Sequence, residues 1–222
     1  MPDDLARQTT QLRTRLASMA ERADQSMQVV LQTLEASDGD GAGEIVDADT
    51  QREPTYAHIQ SGVLAAIALH HPIGRDLRTL TGLLHASVHV ERMTDLTIGM
   101  ARTVQQASQD QSDEDVIHQL SEMGELARTV AQRSVQAFLG DDTEVADEAE
   151  RLDDAVDRLD IGIFERLVRL AADDETYLPW ATRMIHLTRQ FERYADHGVD
   201  VAEQAVFVRS GEPVRLRRPS HA

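Results

Sequence analysis

The sequence predicts an all-α protein made of two copies of a three-helix unit, and three observations support this prediction. Aromatic residues make up only 4% of the chain, whereas strands favour aromatic and β-branched side chains. Apolar residues recur with the helical period almost everywhere and with the strand period almost nowhere. A pattern of acidic residues occurs once in each half, which indicates that the two halves share one plan.

Breaks in the helical pattern divide the chain into six segments of roughly 25 to 35 residues. These breaks lie at residues 38–43, 71–72, 108–112, 140–142 and 172–174. Long helices with short connections are typical of antiparallel bundles. We therefore predict a first three-helix unit over residues 1–107, a second over residues 108–211, and a loose basic tail over residues 212–222.

Composition excludes several classes of function. The chain has 39 acidic and 22 basic residues, all of the latter Arg, and a formal net charge of -17. Such a surface repels phosphate backbones, so nucleic acid is not expected as a partner. The absence of Cys excludes disulfides and thiolate sites. The acidic N-terminus and the shortness of the longest apolar run, Val63 to Leu69, predict a cytoplasmic protein with no signal peptide or membrane span.

The repeated acidic pattern has two parts. Residues 91–95 and 192–196 share the sequence Glu-Arg-x-x-Asp and lie 101 residues apart. An acidic pair at helical spacing precedes each of them, at 49 and 53 in the first half and at 153 and 157 in the second. The spacing places the acids of each pair on one helix face.

These acids are candidate metal ligands because of where they project. On a helical wheel, Glu91 lies within about 20° of the centre of the apolar face of its helix. A buried carboxylate needs a cation, a proton or a metal. Arg92 and Arg193 each follow a Glu directly and so point about 100° away from it. Four acids from two neighbouring helices would make an oxygen-only site suited to Mg, Mn, Ca or ferric iron. Alternatively, the acids are solvated at the bundle edge or bridged to Arg from another helix.

The candidate ligands belong to two sets, one in each half. They are Asp49, Glu53, Glu91 and Asp95 in the first half, and Asp153, Asp157, Glu192, Asp196 and Asp200 in the second.

Three segments give the chain a family resemblance. Residues 71–78, His-Pro-Ile-Gly-Arg-Asp-Leu-Arg, resemble a Gln-Pro-x-x-x-Asp-Leu-Arg segment of the PhoU family, regulators of bacterial phosphate uptake. Residues 91–95 and 192–196 resemble the two Glu-Arg-Ile-Gly-Asp motifs of that family. Residues 192–203 and 207–212 are similar to its C-terminal signature. The resemblance covers nearly the whole chain.

The resemblance implies a fold, a function and partners. The fold would be two tandem, pseudo-symmetric three-helix bundles whose Glu/Asp-x-x-x-Asp motifs bind metal ions such as iron, zinc, manganese or magnesium. The function would be non-enzymatic negative regulation of phosphate uptake and phosphate-responsive signalling. The implied partners are a sensor histidine kinase, the ATPase subunit of a phosphate ABC transporter and a second copy of the chain. The membrane would be reached only through these partners.

The first half departs from the family pattern. Pro54 directly follows Glu53, which disfavours helical geometry there, so Asp49 and Glu53 need not share a regular helix face. Gln60 stands where an acid is common in the family, and Thr94 replaces the usual Gly of the first Glu-Arg motif. We therefore predict that the second half holds the better metal site.

The histidines are weaker candidates for metal ligands than the acids. Among nine His, we expect His197, beside Asp196, to support a ligand, and we regard His85 and His89, four apart, as structural or exposed. No Glu-x-x-His occurs, which argues against a ferritin-like oxidase.

Two alternative hypotheses about the function remain open. One is a metal-dependent hydrolase or metal-storage bundle, and the other is a structural bundle that takes no metal.

Overall fold

The computed structural model describes residues 2–36 and 55–212, which form six α-helices and one 3₁₀ turn, with no strand in these ranges. The helices are α1 Pro2–Ala36, α2 Thr55–His70, α3 Gly74–Ala107, α4 Glu114–Gly140, α5 Thr143–Asp173 and α6 Leu178–Ser210, with the 3₁₀ turn Glu175–Tyr177 before α6. The all-α prediction is confirmed. The predicted break at 38–43 and residues 213–222 of the predicted tail lie outside the described residues.

Short polar segments set the ends of the later helices. The side chain of Asp113 accepts a hydrogen bond from the backbone N–H of Val116 at the start of α4. At the start of α5, the side chain of Asp142 accepts hydrogen bonds from the backbone N–H groups of Glu144 and Val145. Such caps satisfy N–H groups that have no partner within the helix. Between them Asp141 adopts the left-handed conformation, with φ 54°, and ends α4. Gly211, with φ 81°, ends α6 in the same conformation.

The six helices form two three-helix bundles. Helices α1, α2 and α3 pack against one another, and α4, α5 and α6 form the second bundle. The bundles join along two seams, α3 against α6 and α1 against α4. Fully buried side chains from both bundles belong to one continuous core, including Met93 of the first and Phe191 of the second. The prediction of two tandem bundles is therefore confirmed, and the core runs through both.

Polar contacts reinforce the connection between the bundles. Arg13 of α1 donates one hydrogen bond to the backbone carbonyl of Leu139 at 2.8 Å and another to Asp141 Oδ1 at 3.0 Å. Arg78 of α3 donates from Nε to the carbonyl of Val208 at 3.1 Å. Since these contacts join α1 to the end of α4 and α3 to the end of α6, they fix the relative position of the two bundles near these helix ends.

Candidate metal centres

Acidic side chains of α5 and α6 gather in the second bundle. Asp153, Asp157 and Asp160 lie along one face of α5, at spacings of four and three residues. Asp153 and Asp160 are buried, with 8% and 3% of their surface exposed. Glu192 and Asp196 lie one turn apart on α6, and both are half-buried. The two helices pack directly against each other.

The pKa of Glu192 responds to its burial and to the neighbouring acids of α5 and α6. Burial raises the pKa of the Glu192 carboxyl to about 7, and the negative charges of Asp196, Asp157 and Asp160 add to the rise. The charge of Arg189 opposes it. Because charge interactions weaken with distance, the acids of α5 and α6 share one local field. The charges of Asp157 and Asp196 therefore act on Glu192, although the ligand atoms of these three predicted ligands do not all lie within 4.8 Å of one another.

Asp160 is the most deeply buried acid of this cluster. Its Oδ2 accepts a hydrogen bond from Arg189 Nη1 at 2.5 Å. Its other oxygen, Oδ1, is buried and has no hydrogen-bond partner among the described residues. A buried acceptor without a donor is costly, and so is a carboxylate whose charge is crowded by other carboxylates. Both features fit a hard cation, which would neutralise the cluster and accept oxygen ligands.

The first bundle offers fewer of the predicted ligands. Glu91 of α3 is half-buried, whereas Asp95, one turn later, is exposed and accepts a 3.5 Å hydrogen bond from Arg92 Nη1. Asp49 and Glu53 lie outside the described residues. The first metal set therefore stays a prediction, with only its α3 half placed.

A different group of ligand atoms lies where the two bundles meet. His89 of α3 faces His197 and Asp200 of α6. The Nδ1 atom of His89 is 3.1 Å from Asp200 Oδ2 and 3.3 Å from His197 Nδ1. The third distance, from His197 Nδ1 to Asp200 Oδ2, is 3.5 Å. Over residues 2–36 and 55–212, this is the one group of three or more His, Asp or Glu whose ligand atoms all lie within 4.8 Å of one another.

Sequence reasoning missed three of these residues. Asp160 and Arg189 were not among the candidates, although Asp160 continues the α5 face that carries Asp153 and Asp157. Arg189 lies three positions before Glu192 and on the same side of α6, a spacing that marks it as a neighbour of the acids. The sequence predicts His89 to be structural or exposed, because nothing in its own helix indicates that it meets His197.

No helix within residues 2–36 and 55–212 is both long enough and apolar enough to cross a membrane.

Comparison with known proteins relates the chain to one family. The family model of the PhoU domain matches residues 16–104 and again residues 120–205. The chain is 23% identical over 207 residues to the phosphate-specific transport system accessory protein PhoU homolog of Clostridium acetobutylicum, covering 93% of this chain and 94% of that protein. It is 27% identical over 198 residues to the homolog of Streptococcus pneumoniae serotype 4, covering 85% and 90% respectively.

Solved structures show the same fold. The crystal structure of the phosphate transport system regulatory protein PhoU from Streptococcus pneumoniae matches with a TM-score of 0.87 at 23% identity, covering 95% of this chain and 99% of that one. PhoU from Pseudomonas aeruginosa matches with a TM-score of 0.87 at 20% identity, covering 93% and 99%. With the family model matched in each bundle and the fold shared along nearly the whole length, the chain belongs to the PhoU family.

Proposed function

We propose that this protein is a non-enzymatic accessory regulator of phosphate transport, which restrains phosphate uptake and phosphate-responsive signalling through protein contacts. The observation that carries the proposal is the match of the PhoU domain in both bundles. Relatives named as phosphate-specific transport system accessory proteins align with more than four-fifths of this chain, which supports the same role here.

The proposed partners are those that the family resemblance implies. They are a sensor histidine kinase of the phosphate two-component system and the ATPase subunit of a phosphate ABC transporter, with a second copy of the chain as a dimer partner. The protein acts in the cytoplasm and reaches the membrane only through these partners. Strong acidity supports a protein rather than a nucleic acid as the partner.

The acidic cluster of α5 and α6 is the proposed metal centre. Asp153, Asp157, Glu192 and Asp196 would hold the ion, which would be iron, zinc, manganese or magnesium. Burial raises the pKa of Glu192, and the negative charges of Asp196 and Asp157 add to the rise, which supports this assignment. When bound, the ion supplies positive charge that cancels repulsion between α5 and α6. Because the four ligands lie on both helices, a bound ion would join α5 to α6 and so stabilise the second bundle.

The other predicted ligands have a weaker basis. Glu91 and Asp95, with Asp49 and Glu53, form the proposed set of the first bundle. Asp200 is predicted in the second set only by its spacing from Asp196; because its Oδ2 lies beside His89 and His197, it is not one of the four ligands proposed for the carboxylate centre. We propose that the second bundle binds metal more tightly than the first.

Deletion of the gene tests the regulatory role. Phosphate-responsive transcription should become high in phosphate-rich medium, and the wild-type gene should restore its repression. Unchanged transcription at both high and low phosphate would reject the proposal.

Co-purification of the tagged protein with the kinase and the ATPase subunit tests the proposed partners. Sedimentation equilibrium tests the proposed dimer.

Elemental analysis tests the metal centre separately. Protein purified without chelator should contain metal that the Asp153→Ala/Glu192→Ala variant lacks. The matched control is Asp154→Ala/Arg193→Ala, because both side chains are exposed neighbours of the altered ones. If Glu91→Ala with Asp49→Ala removed more metal, the ranking of the two sites would be wrong. Turnover of a phosphate ester by metal-loaded wild type, abolished by Glu192→Ala, would favour the hydrolase instead.

A further inference from the structure

His89, His197 and Asp200 form a three-sided cluster at the seam between the bundles. His89 belongs to α3 of the first bundle, and the other two residues lie one turn apart on α6 of the second. All three side chains are partly buried, with 25%, 22% and 28% of their surface exposed. Two imidazole nitrogens and one carboxylate oxygen thus meet at a protected but accessible place.

The distances within this cluster match those of a metal site. The edge of a tetrahedron is about 1.6 times its centre-to-corner distance, so zinc–ligand distances of about 2.0–2.1 Å correspond to edges of about 3.3 Å. The three observed edges are 3.1 Å, 3.3 Å and 3.5 Å. The ligand atoms therefore already occupy three corners of a tetrahedron of the right size.

The donor chemistry selects a class of ion. Imidazole nitrogen suits Zn²⁺ and other first-row transition metals, whereas Mg²⁺ and Ca²⁺ prefer oxygen ligands alone. Binding through Nδ1 requires both imidazoles to be neutral at that atom. With three protein ligands, the fourth position is left to water, since each side chain keeps some exposure.

We propose that His89, His197 and Asp200 bind a single Zn²⁺ or similar divalent transition-metal ion that links α3 to α6, and hence the first bundle to the second. This site differs from the oxygen-only centre of α5 and α6 in its donors and in the helices that it joins. It depends on neither the regulatory role nor the carboxylate centre. Occupancy would stabilise the seam between bundles, whereas the carboxylate centre acts within one bundle.

Cobalt titration of the metal-free protein tests the site. Co²⁺ replaces Zn²⁺ in such sites and absorbs visible light strongly when it is four-coordinate, and Zn²⁺ should displace it at one equivalent. His89→Gln and His197→Gln should each weaken Co²⁺ binding at least about tenfold. The matched controls are His85→Gln on α3 and His186→Gln on α6, both exposed, which should bind Co²⁺ as the wild type does. The Asp157→Asn/Glu192→Gln variant should also keep the visible spectrum, because it alters only the carboxylate centre.

Thermal melting gives a second readout. Zn²⁺ at about 100 times its dissociation constant should raise the melting temperature of the wild type by about 5–10 °C, and should raise that of His89→Gln much less. Circular dichroism without metal establishes that the variants fold. Should His197→Gln fail to fold, His89→Gln alone decides. The proposal is overturned if the visible spectrum survives both His→Gln changes, or if it disappears with Asp157→Asn/Glu192→Gln.

Discussion

Arg128 of α4 holds Asp24 of α1 at two points, from Nε to Oδ1 at 2.7 Å and from Nη2 to Oδ2 at 3.1 Å. Both side chains are largely buried, with 20% and 24% of their surface exposed. The hydrogen bond to Asp24 is the largest cause of a raised pKa for Arg128. Two parallel charge-assisted bonds fix geometry as well as charge. This pair therefore sets the register of α1 against α4, one of the two seams between bundles.

Asp24→Asn should lower the free energy of unfolding by about 1–3 kcal/mol, because it removes the charge that Arg128 was buried against. Urea denaturation followed by circular dichroism measures this. The control is Glu148→Gln. Glu148 lies 3.8 Å from Arg133, and about 40% of the surface of each side chain is exposed. That change should cost under about 0.5 kcal/mol. Equal losses in the two variants would contradict a special role for the Asp24 pair.

Gly198→Ala should destabilise the protein by about 1–3 kcal/mol through overpacking between α6 and α4. A Cβ atom at position 198 would lie 3.0 Å from Ala131 Cα and 3.2 Å from its N, and backbone atoms cannot move aside cheaply. Gly162→Ala is the control, because a Cβ there meets nothing within 4 Å. It should stabilise α5 by about 0.5–1 kcal/mol, as Ala favours a helix over Gly. Thermal melting of both variants decides whether close approach sets the requirement for Gly198.

Glu192 should make the metal-free protein less stable as the pH rises. Its folded pKa is raised from 4.5 to about 7, so between these values the folded state binds more protons than the unfolded state, and stability falls with increasing pH. Glu192→Gln should flatten this part of the profile. At pH 8, in chelator, it should also stabilise the protein by about 1–2 kcal/mol, less than the full shift implies because the carboxylate is partly solvated. If Glu192→Gln had the same pH profile of stability as the wild type over pH 4.5–7, the raised pKa of Glu192 would be contradicted.

Arg189→Gln should destabilise the protein by about 1–3 kcal/mol, because Asp160 would remain buried without its cation. The side chain of Asp160 is only 4% exposed, whereas that of Arg189 is 55% exposed. Adding Asp160→Asn should recover most of the loss, since the buried charge is then gone. Urea denaturation of the two single variants and the double variant forms a cycle that isolates the coupling. Strict additivity of the two single effects would show that the pair is not coupled.

Sequence periodicity predicted the helices of the described residues and the breaks between them. The helical period and breaks such as Gly140-Asp141-Asp142 depend on neighbours in the chain, so they were readable without tertiary information. Spacing within each helix likewise predicted that Glu192 and Asp196 share one face of α6, but their role as metal ligands stays a prediction. The repeat of the acidic pattern supplied the division into two bundles.

Contacts between helices could not be read in this way. Periodicity gives the direction in which a side chain leaves its own helix, but not the height at which a neighbouring helix meets it. His89 and His197 meet because of the axial register of α3 on α6, which no local spacing encodes. Arg189 of α6 likewise donates a hydrogen bond to Asp160 of α5. From the sequence, the only Arg considered as a partner for the acids of α6 was Arg193, which directly follows Glu192.

The packing of α6 has a consequence for the order of events during protein synthesis. Among the helices of residues 2–36 and 55–212, α6 comes last in the sequence, yet it packs against α3, α4 and α5. While a ribosome is still translating residues before 178, those helices have no partner for the surfaces that α6 will cover. Until α6 has been made, the nascent chain therefore exposes the surfaces of these helices that α6 will cover, and such exposed surface makes partly made proteins clients of chaperones. Completion of one late helix closes the core of both bundles.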